Sequence, residues 1–209
     1  MVLHGGPEFE SRLLVSRRPS CFAFLKYIIA TDVVNKSLID RTILFFSAGG
    51  HDMSFQNSIT LVPIARVEGE RKEPIDDQWD SIRSTITLDP AQFKADALAG
   101  LDAFSHIEVV FHFDRVPDED IRSGARRPRG REDWPEVGIF AQRGKGRPNR
   151  IGVCVCRLER VDGLSLHVRG LDAIDGTPVL DIKPVMKGFL PRGEIREPSW
   201  AAEIMKDYW

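Results

Sequence analysis

The stretch Ile151-Gly-Val-Cys-Val-Cys-Arg-Leu-Glu-Arg-Val-Asp-Gly-Leu-Ser-Leu-His-Val-Arg-Gly-Leu171 decides the fold. Two apolar runs, 151–160 and 164–171, flank Val161-Asp162-Gly163. Asp-Gly between such runs is a strong hairpin signal. Cys154 and Cys156, two apart, fall on one face of the first strand and act as small apolar side chains. Working outward, residues 59–67 read as a strand, and 81–88 alternates Ile82, Ser84, Ile86 and Leu88 against Arg83, Thr85 and Thr87. Residues 104–113 form a strongly apolar strand, 137–141 starts another, and 179–182 follows the turn Asp175-Gly-Thr-Pro178. Asp89 as N-cap and Pro90 at the first helical position predict a helix over 90–99, stopped by Gly100. Residues 198–209 predict a closing helix. Strands dominate and helices are peripheral. No G-x-G-x-x-G follows a first strand and no G-K-[ST] is present, which argues against a doubly wound α/β enzyme.

The chain has 209 residues, 42% of them hydrophobic, with 29 basic and 31 acidic residues for a formal charge of −2. That fits one packed domain with appendages. Residues 1–52 lack amphipathic periodicity and read as an extension, non-native or a loosely packed arm, with Met53 a candidate initiator. Residues 53–184 carry the strands, and 185–209 is a polar tail ending in the helix. Three cysteines without C-x-x-C spacing suggest no disulfide framework or zinc site and point to a reducing cytoplasm. Lys26 interrupts the only long apolar run, so neither a membrane span nor an export signal is expected.

The near-zero net charge hides a local imbalance. Between Arg115 and Arg150 the chain carries ten basic and six acidic residues. This is either a solvated arginine-rich loop or an electrostatic footprint for phosphate or RNA. The stretch ends in Ala141-Gln-Arg-Gly-Lys-Gly-Arg-Pro-Asn-Arg-Ile-Gly152, with three arginines, one lysine and three glycines in twelve residues. Glycine admits close backbone approach and arginine supplies planar donors, a composition suited to a carboxylate-bearing or anionic ligand. Alternation puts His106, Glu108, Val110 and His112 on one face of their strand, so His106 either closes the core edge or lines a site. Asp172, Asp175 and Asp181 form a carboxylate-rich stretch; Asp175 reads as a turn former, whereas Asp181, inside a strand, needs a partner or a ligand.

Five pieces then occur in order: Gly100-Leu-Asp-Ala-Phe-Ser-His106, Arg127-Pro-Arg-Gly130, Val137-Gly-Ile-Phe-Ala-Gln-Arg143, Arg147-Pro-Asn149 with Ile151-Gly152, and the fourteen-residue block Leu171 to Pro184 ending in Asp-Ile-Lys-Pro. Together they resemble the TrmO family, also called TsaA-like or YaeB-like. The resemblance implies a mainly β protein: a single-domain antiparallel β-barrel with peripheral helices that binds S-adenosyl-L-methionine and forms homodimers. It also implies methyl transfer to the exocyclic nitrogen of a threonylcarbamoyl-adenosine beside the tRNA anticodon. The alternative is an S-adenosyl-L-methionine-binding protein with a small-molecule substrate or a regulatory role. Several positions depart from the family pattern: Gln142 replaces a threonine, Arg150 a proline and Val185 a tyrosine, and Asp77-Gln78-Trp79 stands for Pro-Arg-Gln.

With that cofactor in view, Arg143 or Arg147 would clamp its carboxylate, in a loop with Pro148, Asn149 and Ile151. Asp175, Gly176, Thr177 and Pro178 would offer groups to ribose and adenine, and Trp79, beside Gln78, would tolerate the sulfonium through cation–π attraction. His106 and Asp181 are the candidate proton acceptors. Arg126, Arg127 and Arg129 are the candidate contacts to nucleic-acid phosphates. No metal is expected.

Overall fold

A computed structural model describes residues 58–209. The expectations for 1–52 and for a start at Met53 lie outside these residues. Among them six strands close into an antiparallel barrel in the order β1-β2-β7-β6-β3-β8. These are β1 (Ala65–Gly69), β2 (Arg83–Leu88), β3 (His106–His112), β6 (Ile151–Asp162), β7 (Ser165–Arg169) and β8 (Pro178–Pro184). Closure leaves no unpaired edge in so small a sheet. A separate two-residue pair, β4 (Ala125–Arg126) with β5 (Val137–Gly138), ties down the long loop between β3 and β6.

Side-chain alternation fills the barrel. Val67, Ile86, Ile107, Val109, Phe111, Leu166, Val168 and Val179 are buried inside it. Cys154 and Cys156 also point inward, and burial pushes the Cys154 thiol up to about 12 and the Cys156 thiol up as well. Gly152 is required by packing, because a Cβ there would meet the Phe111 ring at 2.4 Å. The hairpin expected at Asp162-Gly163 forms, with Asp162 paired to Ser165 and Gly163 at φ +59°.

Two bulges adjust the parity. One extra residue, Leu180, separates the pairs Phe111–Val179 and Val110–Asp181. Past this bulge Ile182 packs on the core while Asp181 and Lys183 lie on the outer face. Without it the period-2 alternation from Val179 would turn Asp181 inward.

The expected helix over 90–99 is replaced by a turn and a short 3-10 segment, Ala95–Leu98. Asp89 caps, accepting from the Ala91 amide at 2.9 Å and from Gln92 Nε2 at 2.7 Å. The chain must bury Leu98 against the barrel core and then reverse at Gly100, φ +81°, which leaves too few residues for propagation. The strand expected at 137–141 is two residues of β5 followed by a 3-10 turn, Ile139–Ala141. The closing helix is shorter than its 198–209 prediction: α1 spans Ser199–Ile204. No helix among the described residues is long and apolar enough to cross a membrane.

Candidate functional site

Antiparallel closure sends the three irregular connections, 70–82, 113–150 and 170–177, out of the same end of the barrel. The other end carries 89–105, the 163–164 turn and the exit after Pro184. The topology therefore collects the Gln78, Arg143, Arg147 and Asp175 regions at one mouth, although they are distant in sequence.

The first connection wraps around Arg71. Its guanidinium donates to the carbonyls of Asp77 at 2.7 Å and Gln78 at 3.0 Å, and its Cζ lies 4.2 Å from the centroid of the Trp79 ring. The cation–π partner of Trp79 in this structure is thus Arg71. Trp79 is buried, and among the described residues its Nε1 has no hydrogen-bond partner.

The Asp-Gly-Thr-Pro turn is committed to the barrel rather than presenting open backbone groups. Gly69 N donates to Asp175 Oδ1 at 3.1 Å, and Asp175 N donates to the Arg71 carbonyl at 2.8 Å. Arg115 donates to the Asp175 carbonyl at 2.7 Å, and Gly176 N donates to the Val67 carbonyl at 2.7 Å. Thr177 and Pro178 are buried where the turn enters β8.

The glycine-arginine loop is likewise built against the protein. A Cβ on Gly144 would lie 2.7 Å from Arg126 Nη2, and one on Gly146 would lie 2.6 Å from the Asp120 carbonyl. These glycines admit the chain's own atoms rather than a ligand. Arg147 donates to the Gln142 carbonyl at 3.2 Å, and Gln142, buried, donates to the carbonyls of Arg126 and Val137. Pro148 and Asn149 are exposed at the tip, and Ile151 opens β6.

The three arginines expected to meet phosphates have internal work. Arg126 is half-buried beside Gly144, Arg127 donates to the Trp134 carbonyl at 2.5 Å, and Arg129 forks onto Asp77 at 2.5 and 3.1 Å. Arg131 pairs with Asp133 and Arg150 with Asp118. Much of the basic stretch thereby stitches one long loop together.

What converges at the mouth is a mixed-charge cluster around Asp172. Its amide donates to Cys154 Sγ at 3.4 Å, and one of its carboxylate oxygens accepts from the Tyr208 hydroxyl. Burial pushes the carboxyl up to about 6; the Tyr208 bond opposes this, Asp76 adds to it, and Arg143 and Lys145 oppose it. Burial beside this carboxylate also pushes the Tyr208 phenol up. Lys145 Nζ stands 3.3 Å from Asp76, while Arg143, exposed, donates to the Val153 carbonyl at 2.6 Å. Sequence reading gave Arg143 a site role; it noted Lys145 in the glycine-arginine loop and Asp172 in a carboxylate-rich stretch without assigning either one, and it did not mark Asp76 or Tyr208.

His106 and Asp181 are not brought to this cluster. Both lie on the outer face of the barrel, and His106 begins β3, roughly 20 Å along the strand from the loop end. Its Nδ1 is 2.8 Å from Ser105 Oγ, and Asp181 is paired with Lys183.

The fold and the site define a closed six-stranded antiparallel barrel with one loop-rich, mixed-charge end. Residues 67–189 match the family described as the tRNA-methyltransferase O N-terminal domain, and the chain belongs to that family. It is 38% identical over 108 residues to the tRNA (adenine(37)-N6)-methyltransferase of Mus musculus, covering 52% of this chain and 24% of that protein. It is 34% identical over 140 residues to a Pyrococcus abyssi protein named for S-adenosyl-L-methionine binding, covering 65% of this chain and 70% of that one. The crystal structure of TrmO from Pseudomonas aeruginosa superposes with a TM-score of 0.54 at 29% identity, covering 67% of this chain and 62% of that one. The chain spans about a quarter of the length of the mammalian relatives it matches.

Proposed function

We propose that this chain binds S-adenosyl-L-methionine at the loop end of the barrel and transfers its methyl group to an adenine nitrogen of tRNA. The observation that carries the reading is the cluster of Arg143, Lys145, Asp76 and Asp172, linked to Trp79 through Tyr208. The amino-acid end of the cofactor carries a carboxylate and an ammonium, and the cluster supplies partners for both. Arg143 and Lys145, both exposed, suit the carboxylate, and Asp172 suits the ammonium. When bound, the cofactor supplies an electrophilic methyl group. The chain's own part is to bind and position its amino-acid end.

The names of the relatives support methylation of tRNA as the activity. Cytoplasmic location and homodimerisation belong to the same proposal. Cys154 and Cys156, free and buried inside the barrel, suit a reducing compartment. Val153 and Val155, 38% and 47% exposed on the outer face opposite Val110 and Glu108, suit a second copy.

A second reading, cofactor binding with a small-molecule substrate or a regulatory role, is favoured by one observation. Arg127 and Arg129 are engaged internally and Arg126 is half-buried, so the most basic segment presents little free charge to a phosphate backbone. The test is incubation with methyl-labelled cofactor and tRNA from cells lacking the protein. Label in tRNA adenine supports the first reading; cofactor uptake by calorimetry with unlabelled tRNA selects the second.

A further inference from the structure

Residues 199–209 fold back over the loop end and hold both walls of the charged cluster. α1 is anchored by Trp134, whose Nε1 donates to Glu203 at 2.8 Å and whose ring lies 6.5 Å from that of Trp200. The chain beyond α1 then binds the first connection: Gln78 N donates to the Asp207 carbonyl at 2.9 Å and Trp79 N to the Tyr208 carbonyl at 2.8 Å. Gln78 has φ +64°, a left-handed conformation that a non-glycine residue keeps only when its surroundings over-determine it. The Asp207 carbonyl on its amide and Arg71 on its carbonyl supply that constraint.

From the same turn the Tyr208 hydroxyl donates to Asp172 Oδ2, while Oδ1 takes no hydrogen bond among the described residues. The segment thus reaches the cluster from above while the barrel supplies it from below. Two surface grooves, about 350 and 310 Å³, open elsewhere, along Glu68, Arg83 and His167 and along Phe93, Leu101 and Ile182. Neither is lined by Asp172 or Tyr208.

We propose that Tyr208 is a positioning residue of the cofactor site, holding the Asp172 carboxylate so that Oδ1 accepts from the cofactor's ammonium while residues 207–208 fix the Trp79 wall. This rests on the reading of the cluster as the S-adenosyl-L-methionine site and adds a part of the chain well outside the barrel. It follows that binding depends on the protonation of Asp172. The groups facing that carboxyl are Asp76, Arg143, Lys145, Cys154 and Tyr208. Of these, the Tyr208 hydrogen bond favours the ionised form most, so its loss raises the pH at which the carboxylate appears.

The experiment is calorimetric titration of the full chain with S-adenosyl-L-methionine, from acid to mildly alkaline pH. The proteins are the wild type, Tyr208→Phe, Asp172→Asn, the double variant and Glu203→Ala. Tyr208→Phe keeps the ring and is expected to bind about tenfold more weakly at neutral pH, with the acid midpoint of binding moved upward. The double variant is expected to bind no more weakly than Asp172→Asn alone. Glu203→Ala loosens α1 and with it the Tyr208 contact, so affinity falls a few-fold and the midpoint moves upward by less than in Tyr208→Phe. This variant keeps the Trp79 wall testable even if Tyr208→Phe does not fold.

Wild-type affinity and midpoint in Tyr208→Phe, or additive effects of the two substitutions, overturn the proposal. Tighter binding in Tyr208→Phe also overturns it, since the segment would then be excluding the ligand. Absence of uptake by the wild-type protein overturns the reading of the site itself, whereas uptake with an indifferent Tyr208→Phe overturns only this inference.

Discussion

Arg129 grips the Asp77 carboxylate with both terminal nitrogens, at 2.5 and 3.1 Å, and so joins the long β3–β6 loop to the connection that carries Gln78 and Trp79. The pair is about two-thirds buried on each side, and Asp77 raises the Arg129 pKa further. A planar fork matched to a carboxylate is not reproduced by an ammonium. Arg129→Lys is therefore expected to lose about 1 kcal/mol of stability, nearly as much as Arg129→Ala, measured by denaturant melts. A lysine variant as stable as the wild type would show that the pair contributes only charge.

Replacing Arg126, Arg127 and Arg129 together separates the two roles considered for this stretch. Because Arg127 and Arg129 hold loop carbonyls and a carboxylate, the triple variant is expected to melt earlier and to bind cofactor more weakly as the mouth loosens. If it keeps its melting point and cofactor affinity and loses only tRNA affinity, these arginines serve phosphates instead.

Arg143 and Arg147 differ in exposure. Arg143 is exposed and close enough to influence Asp172, with one terminal nitrogen on the Val153 carbonyl, whereas Arg147 donates to the Gln142 carbonyl from a half-buried position. Arg143→Ala is expected to weaken cofactor binding by roughly tenfold or more with little change in melting point. Arg147→Ala is expected to act mainly on stability. Calorimetry paired with thermal melts reads both, and the opposite ranking would move the carboxylate contact to Arg147.

Asp172 makes stability depend on pH. Its carboxyl titrates at about 6 in the folded chain against an ordinary value of 3.8. Between these values the native state holds a proton that the unfolded state has released, so stability falls as pH rises from about 4 to about 6. Asp172→Asn removes that burden. It is expected to gain up to ~3 kcal/mol at neutral pH and little near pH 4, from denaturant melts at both. An equal gain at both pH values would show that charge burial is not its cause.

Gly152→Ala drives a methyl group into the Phe111 ring. Overpacking of this kind is expected to cost about 1–3 kcal/mol, and Gly152→Ala with Phe111→Leu to recover part of it in the same melts. Failure of the second change to help would place the strain in the backbone.

How much of this was legible beforehand varies with the range of the interaction. Alternation in 81–88 and 104–113, together with the Asp162-Gly163 turn, announced antiparallel strands, because a strand's face is set by its own neighbours. The ordered blocks from Gly100 to Pro184 announced the family and with it the barrel. The helix expected at 90–99 failed because capping and propensity are local terms, while the need to bury Leu98 and turn at Gly100 is not.

The sequence by itself determined which residues face inward on most strands, where the chain turns, and that Arg143 would stand in an irregular loop. Only tertiary structure decided that Asp172, Asp76, Lys145 and Tyr208 share one mouth, that Arg71 already covers Trp79, and that His106 lies at the far end. A carboxylate's partners depend on which loops leave the same end of a closed barrel, and Tyr208 meets Asp172 across 36 positions of chain. No local pattern records such a meeting, because the barrel's closure, and not the residues in between, brings the two together.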